Sequence, residues 1–248
     1  MKLTVIGSSG SFPGPDSPAS CYLIQHDGTN ILLDLGNGAL GALQKYLDIY
    51  SLDAVFLSHL HADHCADVGS LYVSLRYHPL GVKDPIAVYG PQGTSARLVD
   101  SYGPTDDPGV LGHLNVSEYA EGDSFTVGGM TITPFGVDHV IEGFGFKVEA
   151  DGRTFVYSGD TDACPELVEA SRGADLVLFE AAFVESLPYQ RHIHMTGRTA
   201  AQTAVDAGVE RLILTHIPPW NDPAEVLADA QAVLPGAVVA YSGMEVEI

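Results

Sequence analysis

Basic side chains are what this sequence has least of. Lysine and arginine number 11 among 248 residues, against 32 aspartates and glutamates, for a formal charge of −21 at pH 7. A nucleic-acid polymer binds largely by shedding counterions onto a basic surface, so this balance disfavours such a partner. Cysteine is also scarce. The odd set Cys21, Cys65 and Cys164 has no C-x-x-C spacing, which excludes a disulfide framework and a cysteine-rich zinc site and leaves three reduced, buried thiols as the expectation. No run approaches the roughly 20 apolar residues of a membrane span. The opening Met1-Lys2-Leu3-Thr4-Val5-Ile6-Gly7 breaks into a Gly/Ser/Pro loop too soon for a signal-peptide core. The sequence therefore predicts a cytoplasmic protein without a membrane partner. Apolar residues make up 46% and charged ones 17%, which points to a folded core rather than disorder.

Short β-branched runs at 3–6, 21–25, 31–34, 54–57, 86–89, 130–137, 143–148, 154–157, 176–179, 212–214 and 237–240 read as strands. Apolar residues at helical spacing predict helices over 39–47, 63–77, 92–102, 165–172, 196–207 and 223–233. Strands and helices alternate with no Pro/Ser-rich linker and no charge block. One domain spanning 1–248, of mixed sheets covered by helices, is expected. The stretch 101–112, with Pro104, Asp106, Asp107, Pro108 and Gly109, reads as turn chemistry rather than a domain boundary. Residues 54–59 and 211–216 echo one another, each an apolar strand ending in a hydroxyl residue and a histidine, His59 and His216.

Ser58-His59-Leu60-His61-Ala62-Asp63-His64 places three imidazoles and a carboxylate within six positions after a buried strand. In extended backbone, residues two apart point the same way, so His59 and His61 can grip one cation while Leu60 faces the core. Helix onset near Asp63 turns Asp63 and His64 toward a second. Nitrogen and carboxylate donors suit zinc, and equally manganese or iron(II), because no thiolate is placed to select zinc. Three further candidates follow strands: His139, Asp160 and His216. Asp160 has two oxygens and can bridge cations about 3.5 to 4 Å apart, and Gly159 before it leaves room for close backbone approach.

The series His59-x-His61-x-Asp63-His64, His139, Asp160, His216 resembles the metallo-β-lactamase superfamily over nearly the whole chain. The resemblance implies an α/β fold, the αββα four-layer sandwich, with a dinuclear site at the sheet edges. One divalent metal ion would rest on His59, His61 and His139, the other on Asp63, His64 and His216, with Asp160 between them and Asp63 also serving catalysis. Flavodiiron relatives carry a glutamate where this chain has His61, which disfavours redox chemistry.

Glu180-Ala181-Ala182, His194-Met195-Thr196 and Leu214-Thr215-His216 resemble the ribonuclease Z branch, which implies a catalytic role for His194. His194 could bond a phosphoryl oxygen or protonate a leaving alkoxide, and Glu180 could orient it and raise its pKa. Departures weigh as much. His139 and Asp160 are only 21 positions apart, too few for the tRNA-gripping arm, and 160–216 has no room for the extra domain of the polymer-processing nucleases. The runs 7–11, 14–20 and 214–220, the last Leu-Thr-His-Ile-Pro-Pro-Trp, resemble an actinobacterial subgroup that includes an atypical class II cyclic-nucleotide phosphodiesterase. Gly7 to Ser11 lacks the lysine and spacing of a P-loop, so a tight structural turn is expected there.

Taken together these features predict a dinuclear phosphodiesterase of small phosphodiesters such as 3′,5′-cyclic nucleotides. Three other readings remain: a tRNA 3′-end endonuclease, a thioesterase or lactonase, and a non-catalytic binding module, which the complete ligand set disfavours. The resemblance also implies a homodimer. Arg76, Arg191 and Arg198 are candidates for phosphate contact, whereas His26, His113 and His192 read as surface or loop residues.

Overall fold

Fourteen strands pair into two sheets in the computed structural model, which describes residues 1–104 and 109–248. The first holds β1 (Lys2–Gly7), β2 (Cys21–His26), β3 (Thr29–Leu33), β4 (Ala54–Phe56), β5 (Ile86–Gly90) and β6 (Leu114–Glu118) in chain order, with the C-terminal β14 (Glu245–Glu247) outside β1. The second runs in order from β7 (Phe125–Val127) through β8 (Met130–Gly136), β9 (Phe144–Ala150), β10 (Arg153–Tyr157), β11 (Leu176–Glu180) and β12 (Leu212–Thr215) to β13 (Val238–Val239). In each, pairing is antiparallel up to a middle strand, β3 or β10, and parallel beyond it.

Period-two alternation decides the layers. Leu3, Val5, Tyr22, Ile24, Ile31 and Leu33 of the first sheet meet Phe146, Val148, Phe155, Tyr157, Leu176 and Leu178 of the second in a shared core. The opposite face of the first sheet packs on α1 (Ala39–Leu43), α3 (Val68–Arg76) and α4 (Thr94–Tyr102) through Leu40, Leu43, Leu71, Leu75 and Leu98. That of the second packs on α5 (Pro165–Ser171), α6 (Gly197–Ala207) and α7 (Pro223–Gln231) through Leu167, Ala200, Ala204 and Val226. The result is the expected αββα sandwich. Strands β4, β11 and β12 are buried along their whole length, which is why they read as unbroken apolar runs.

The structure differs from the sequence reading in several places. The helix expected over 63–77 is two, α2 (Ala62–Cys65) and α3, because the Asp67 amide donates to the Leu35 carbonyl instead of continuing the helix, and its carboxylate accepts from the Leu40 amide. Strands β6, β7 and β14 are unforeseen, being short edges whose alternation holds only one or two apolar residues each. His113 is buried against Tyr72, not at the surface, and the His26 ring at the end of β2 is mostly covered. His192 is exposed, as expected. Of the stretch read as turn chemistry, Asp106, Asp107 and Pro108 lie outside the described residues; 110–112 form a 3₁₀ turn. The echo between 54–59 and 211–216 is not a repeat of the architecture, since by strand order β4 corresponds to β11 and not to β12. Among the described residues no helix is long and apolar enough to cross a membrane.

Candidate active site

All seven histidines and aspartates singled out from the sequence come together where the strand ends of the two sheets meet. His59 follows β4 and His61, in extended backbone, caps α2; both reach one point, while the turn into α2 sends Asp63 and His64 to another. Donor atoms of His59, His61, His139 and Asp160 lie within 4.8 Å of one another, as do those of Asp63, His64, Asp160 and His216. Asp160 is common to both groups. His61 presents Nδ1, 3.0 Å from His59 Nε2 and 3.3 Å from His139 Nε2. These separations are close to the edge of a tetrahedron, about 3.3 Å, when metal–nitrogen distances are about 2.0–2.1 Å.

Several of the rings are held from behind. His139 Nδ1 donates to the Ile193 carbonyl at 2.8 Å, His216 Nδ1 meets Ser20 Oγ at 2.8 Å, and His64 Nδ1 meets Asp34 Oδ2 at 2.7 Å. Such partners fix ring orientation and leave the opposite nitrogen for a cation. Asp34 also accepts from the Ser58 amide and hydroxyl and from the Tyr157 hydroxyl, all within 2.8 Å. Both Asp34 and His216 adopt positive φ, 61° and 55°, a strained conformation that surrounding structure must impose. Part of that constraint is the glycine/serine loop. Gly10 donates to the Ile217 carbonyl, and a Cβ at Gly10 would lie 2.3 Å from the His216 oxygen. The loop is thus a structural turn seated on His216, as its composition predicts. Gly159 (φ 60°) likewise lets the segment entering Asp160 pass the Phe144 carbonyl, 2.4 Å from where a Cβ would be.

The charge balance asks for a cation. Burial lowers the pKa of His59, His61 and His139, favouring the neutral imidazoles that ligate metals. Burial opposes ionisation of Asp160, but His216 and His64 hold its carboxyl well below the usual range. Burial would likewise lower His64, yet Asp160 and Asp34 drive it well above the ordinary value. His64 Nε2 and Asp160 Oδ1 are both buried, 3.2 Å apart, and neither forms an aligned hydrogen bond among the described residues. Two orphaned polar atoms facing one gap fit a shared divalent cation, and the two donor sets are suited to hold a pair.

His194 stands beside these groups. Its Nδ1 is 2.7 Å from Oε1 of the fully buried Glu180, whose oxygens also accept from the Thr161 and Ala182 amides. Burial alone would lower the His194 pKa, but the Glu180 carboxylate raises it to about 9. Reciprocal side-chain to amide bonds between Thr196 and Thr199 cap α6 and fix the segment just after His194. Arg191 pairs with buried Asp162 at 2.9 Å, and the His192 amide and ring bond Asp162 and Asp138, so these residues latch the His194 loop. Arg198 is exposed on α6, and Arg76 lies over the Tyr77 ring. Cys21, Cys65 and Cys164 are buried and free, and burial raises all three thiols, as their scarcity suggested.

Sequence reasoning missed Asp34, Ser58, Ser20 and Tyr157. The available signal was Asp34 itself, a carboxylate closing the run Ile31-Leu32-Leu33, which has to be paired once buried.

Residues 29–217 match the model of the Beta-lactamase superfamily domain. A protein of Mycobacterium tuberculosis is 42% identical over 244 residues, covering 96% of this chain and 88% of that protein. The crystal structure of the metallo-beta-lactamase fold protein YhfI from Bacillus subtilis superposes with a TM-score of 0.87 at 28% identity, covering 99% of both chains. A ribonuclease Z of Methanosarcina acetivorans is 28% identical over an alignment of 308 positions that covers 100% of this chain and 98% of that enzyme. The chain belongs to the beta-lactamase superfamily, as a hydrolase of the metallo-β-lactamase fold.

Proposed function

We propose that the protein is a dinuclear metal-dependent phosphodiesterase acting on small phosphodiesters such as 3′,5′-cyclic nucleotides. The observation that carries this reading is the pair of donor groups sharing Asp160, with the Glu180–His194 pair alongside. His59, His61 and His139 would hold one divalent ion, zinc or else manganese or iron(II), and Asp63, His64 and His216 the other. Ions bound there polarise a phosphoryl oxygen and ionise a water near neutral pH.

The chain's own residues do the rest. Glu180 fixes His194 Nδ1, so Nε2 faces the substrate and delivers a proton to the ribose oxygen as the P–O bond breaks. Asp160 keeps the donor sets at a common centre, and Asp34 holds His64 with Nε2 free. Small substrates suit the charge: a surface with 32 acidic and 11 basic residues offers a polyanion little. One or two phosphate charges met at short range escape that penalty, because distant carboxylates are screened beyond about 8–10 Å. The 308-position alignment with the ribonuclease exceeds this chain's 248 residues, so that enzyme carries segments absent here.

The test is a substrate panel of 3′,5′-cyclic AMP, precursor tRNA, a thioester and a lactone, run with metal analysis on one preparation. The expected result is about two metal ions per chain, cyclic AMP hydrolysis abolished by chelation, and poor tRNA cleavage. Efficient tRNA cleavage with inert cyclic AMP would favour the endonuclease reading, and turnover of the thioester or lactone alone would favour a carbonyl substrate.

A further inference from the structure

One pocket opens directly from His194 and is built unlike the rest of this acidic molecule. Phe183, Leu187, Tyr189, Trp220 and Asn221 line a cavity of about 420 Å³, and Ser11 closes one side. That volume lies within the range of about 300–1,000 Å³ typical of small-molecule sites. No carboxylate, lysine or arginine contributes to its wall. In a chain of formal charge −21, a pocket whose only basic ring is His194, at the reacting centre itself, suits an uncharged group rather than a second phosphate or a polyanion.

Its aromatic side chains are Phe183 and Tyr189, which pair with each other, and Trp220. Phe183 meets the His194 ring edge-on at 5.1 Å and stacks with Tyr189 at 5.6 Å and 29°, while Trp220 leans on Phe12 at 4.9 Å. Trp220 is 66% exposed and Leu187 57%, large apolar surface left open at the mouth. The walls are fixed before any ligand arrives: the Phe183 amide donates to the Met195 carbonyl, and Asn221 Nδ2 donates to the Ala182 carbonyl at 2.8 Å. That bond leaves Asn221 Oδ1 as an acceptor. Ser11, held at φ 62°, adds a hydroxyl.

We infer that this pocket receives the nucleobase of the substrate, stacked on Trp220 and the Phe183–Tyr189 wall, with Asn221 and Ser11 meeting its polar edge. The assignment rests on the phosphodiesterase reading and makes Trp220 a specificity determinant. A planar heteroaromatic ring supplies both a π-face for the aromatic side chains and donors or acceptors for the edge groups. A quaternary ammonium would satisfy the rings but leave Asn221 and Ser11 unpaired.

Trp220 is the chain's single tryptophan, so its emission reports the pocket alone. On the metal-loaded enzyme, adenosine 5′-monophosphate should quench that emission saturably, whereas ribose 5-phosphate and phosphocholine should not. In kinetics, Trp220→Leu should lower kcat/KM for cyclic AMP about tenfold relative to ribose 3,5-cyclic phosphate, mainly through KM, and Trp220→Tyr should recover most of the loss. Hydrolysis of cyclic AMP with no quenching and unchanged discrimination in Trp220→Leu overturns the pocket assignment alone. Quenching by phosphocholine but not the nucleotide also overturns it. Failure of the enzyme to hydrolyse either cyclic substrate overturns the phosphodiesterase reading and this inference with it.

Discussion

The two sheets share one pattern of strand order and direction, yet they supply the site in opposite ways. The first contributes four of the proposed ligands, His59, His61, Asp63 and His64, from a single turn after β4. The second contributes His139, Asp160 and His216 one at a time from three strand ends, with Glu180 and His194 from two more places. A clustered set is braced as a unit by one buried network, whereas dispersed residues each need their own support. The Ile193 carbonyl behind His139, Ser20 behind His216 and the amides around Glu180 are such supports. Loss of one residue should therefore have different consequences on the two sides.

The largest effect is expected at Asp160. It belongs to both donor groups, so Asp160→Ala should empty both metal positions and reduce turnover to the level of chelated enzyme. His61→Ala, from the clustered turn, removes a donor from one group only and should leave about one ion per chain. Metal analysis of the two purified variants checks the contrast. Retention of two ions in Asp160→Ala would break the shared-carboxylate reading.

Next in size is His194→Ala. His194 lies beside the donor groups and is held by Glu180, so its loss should leave two metal ions in place and slow cyclic AMP hydrolysis by roughly 10²- to 10⁴-fold. Stoichiometric loss of a metal ion would make His194 a ligand instead.

The same contrast governs how much could be read from sequence. Four candidate ligands in six residues after an apolar strand announce themselves, because local periodicity alone turns them to two neighbouring points. His139, Asp160 and His216 are single residues at strand ends, and only the family pattern joins them. The fold was legible where strands are fully apolar, as in β4, β11 and β12, and illegible at the edge strands β6, β7 and β14, whose alternation runs over only one or two apolar residues. The helix break at Asp67 depends on the Leu35 carbonyl and the Leu40 amide, remote partners that no local pattern reports. Asp34 stayed hidden for the same reason, since its partners His64, Ser58 and Tyr157 come from elsewhere in the chain.

The smallest of these effects, and the sharpest probe of the comparison, is Asp34→Asn. Asp34 follows β3 as Asp160 follows β10, each after the middle strand of its sheet, but Asp160 faces the proposed metals while Asp34 stands behind a ligand. Both Asp34 oxygens accept: Oδ1 from the Ser58 amide, Oδ2 from the Ser58 and Tyr157 hydroxyls and at 2.7 Å from His64 Nδ1. An asparagine cannot satisfy this set in either orientation. With its NH₂ at the Oδ1 position, a donor meets the Ser58 N–H. With its NH₂ at the Oδ2 position, a donor meets His64 Nδ1, and the ring can accept only by moving its proton to Nε2, the atom needed for a cation. The first orientation sets two donors face to face at the Ser58 amide and keeps the His64 contact, whereas the second, which spares that amide, places the penalty on His64 and so on the position shared with Asp63 and His216. Chelator competition should show that position weakened about 10- to 100-fold, with the His59–His61–His139 position changed far less. Equal weakening of both, transmitted through the Ser58 hydroxyl that also lies 3.1 Å from His59 Nδ1, would show that the clustered turn responds as one unit even where its ligands serve different ions.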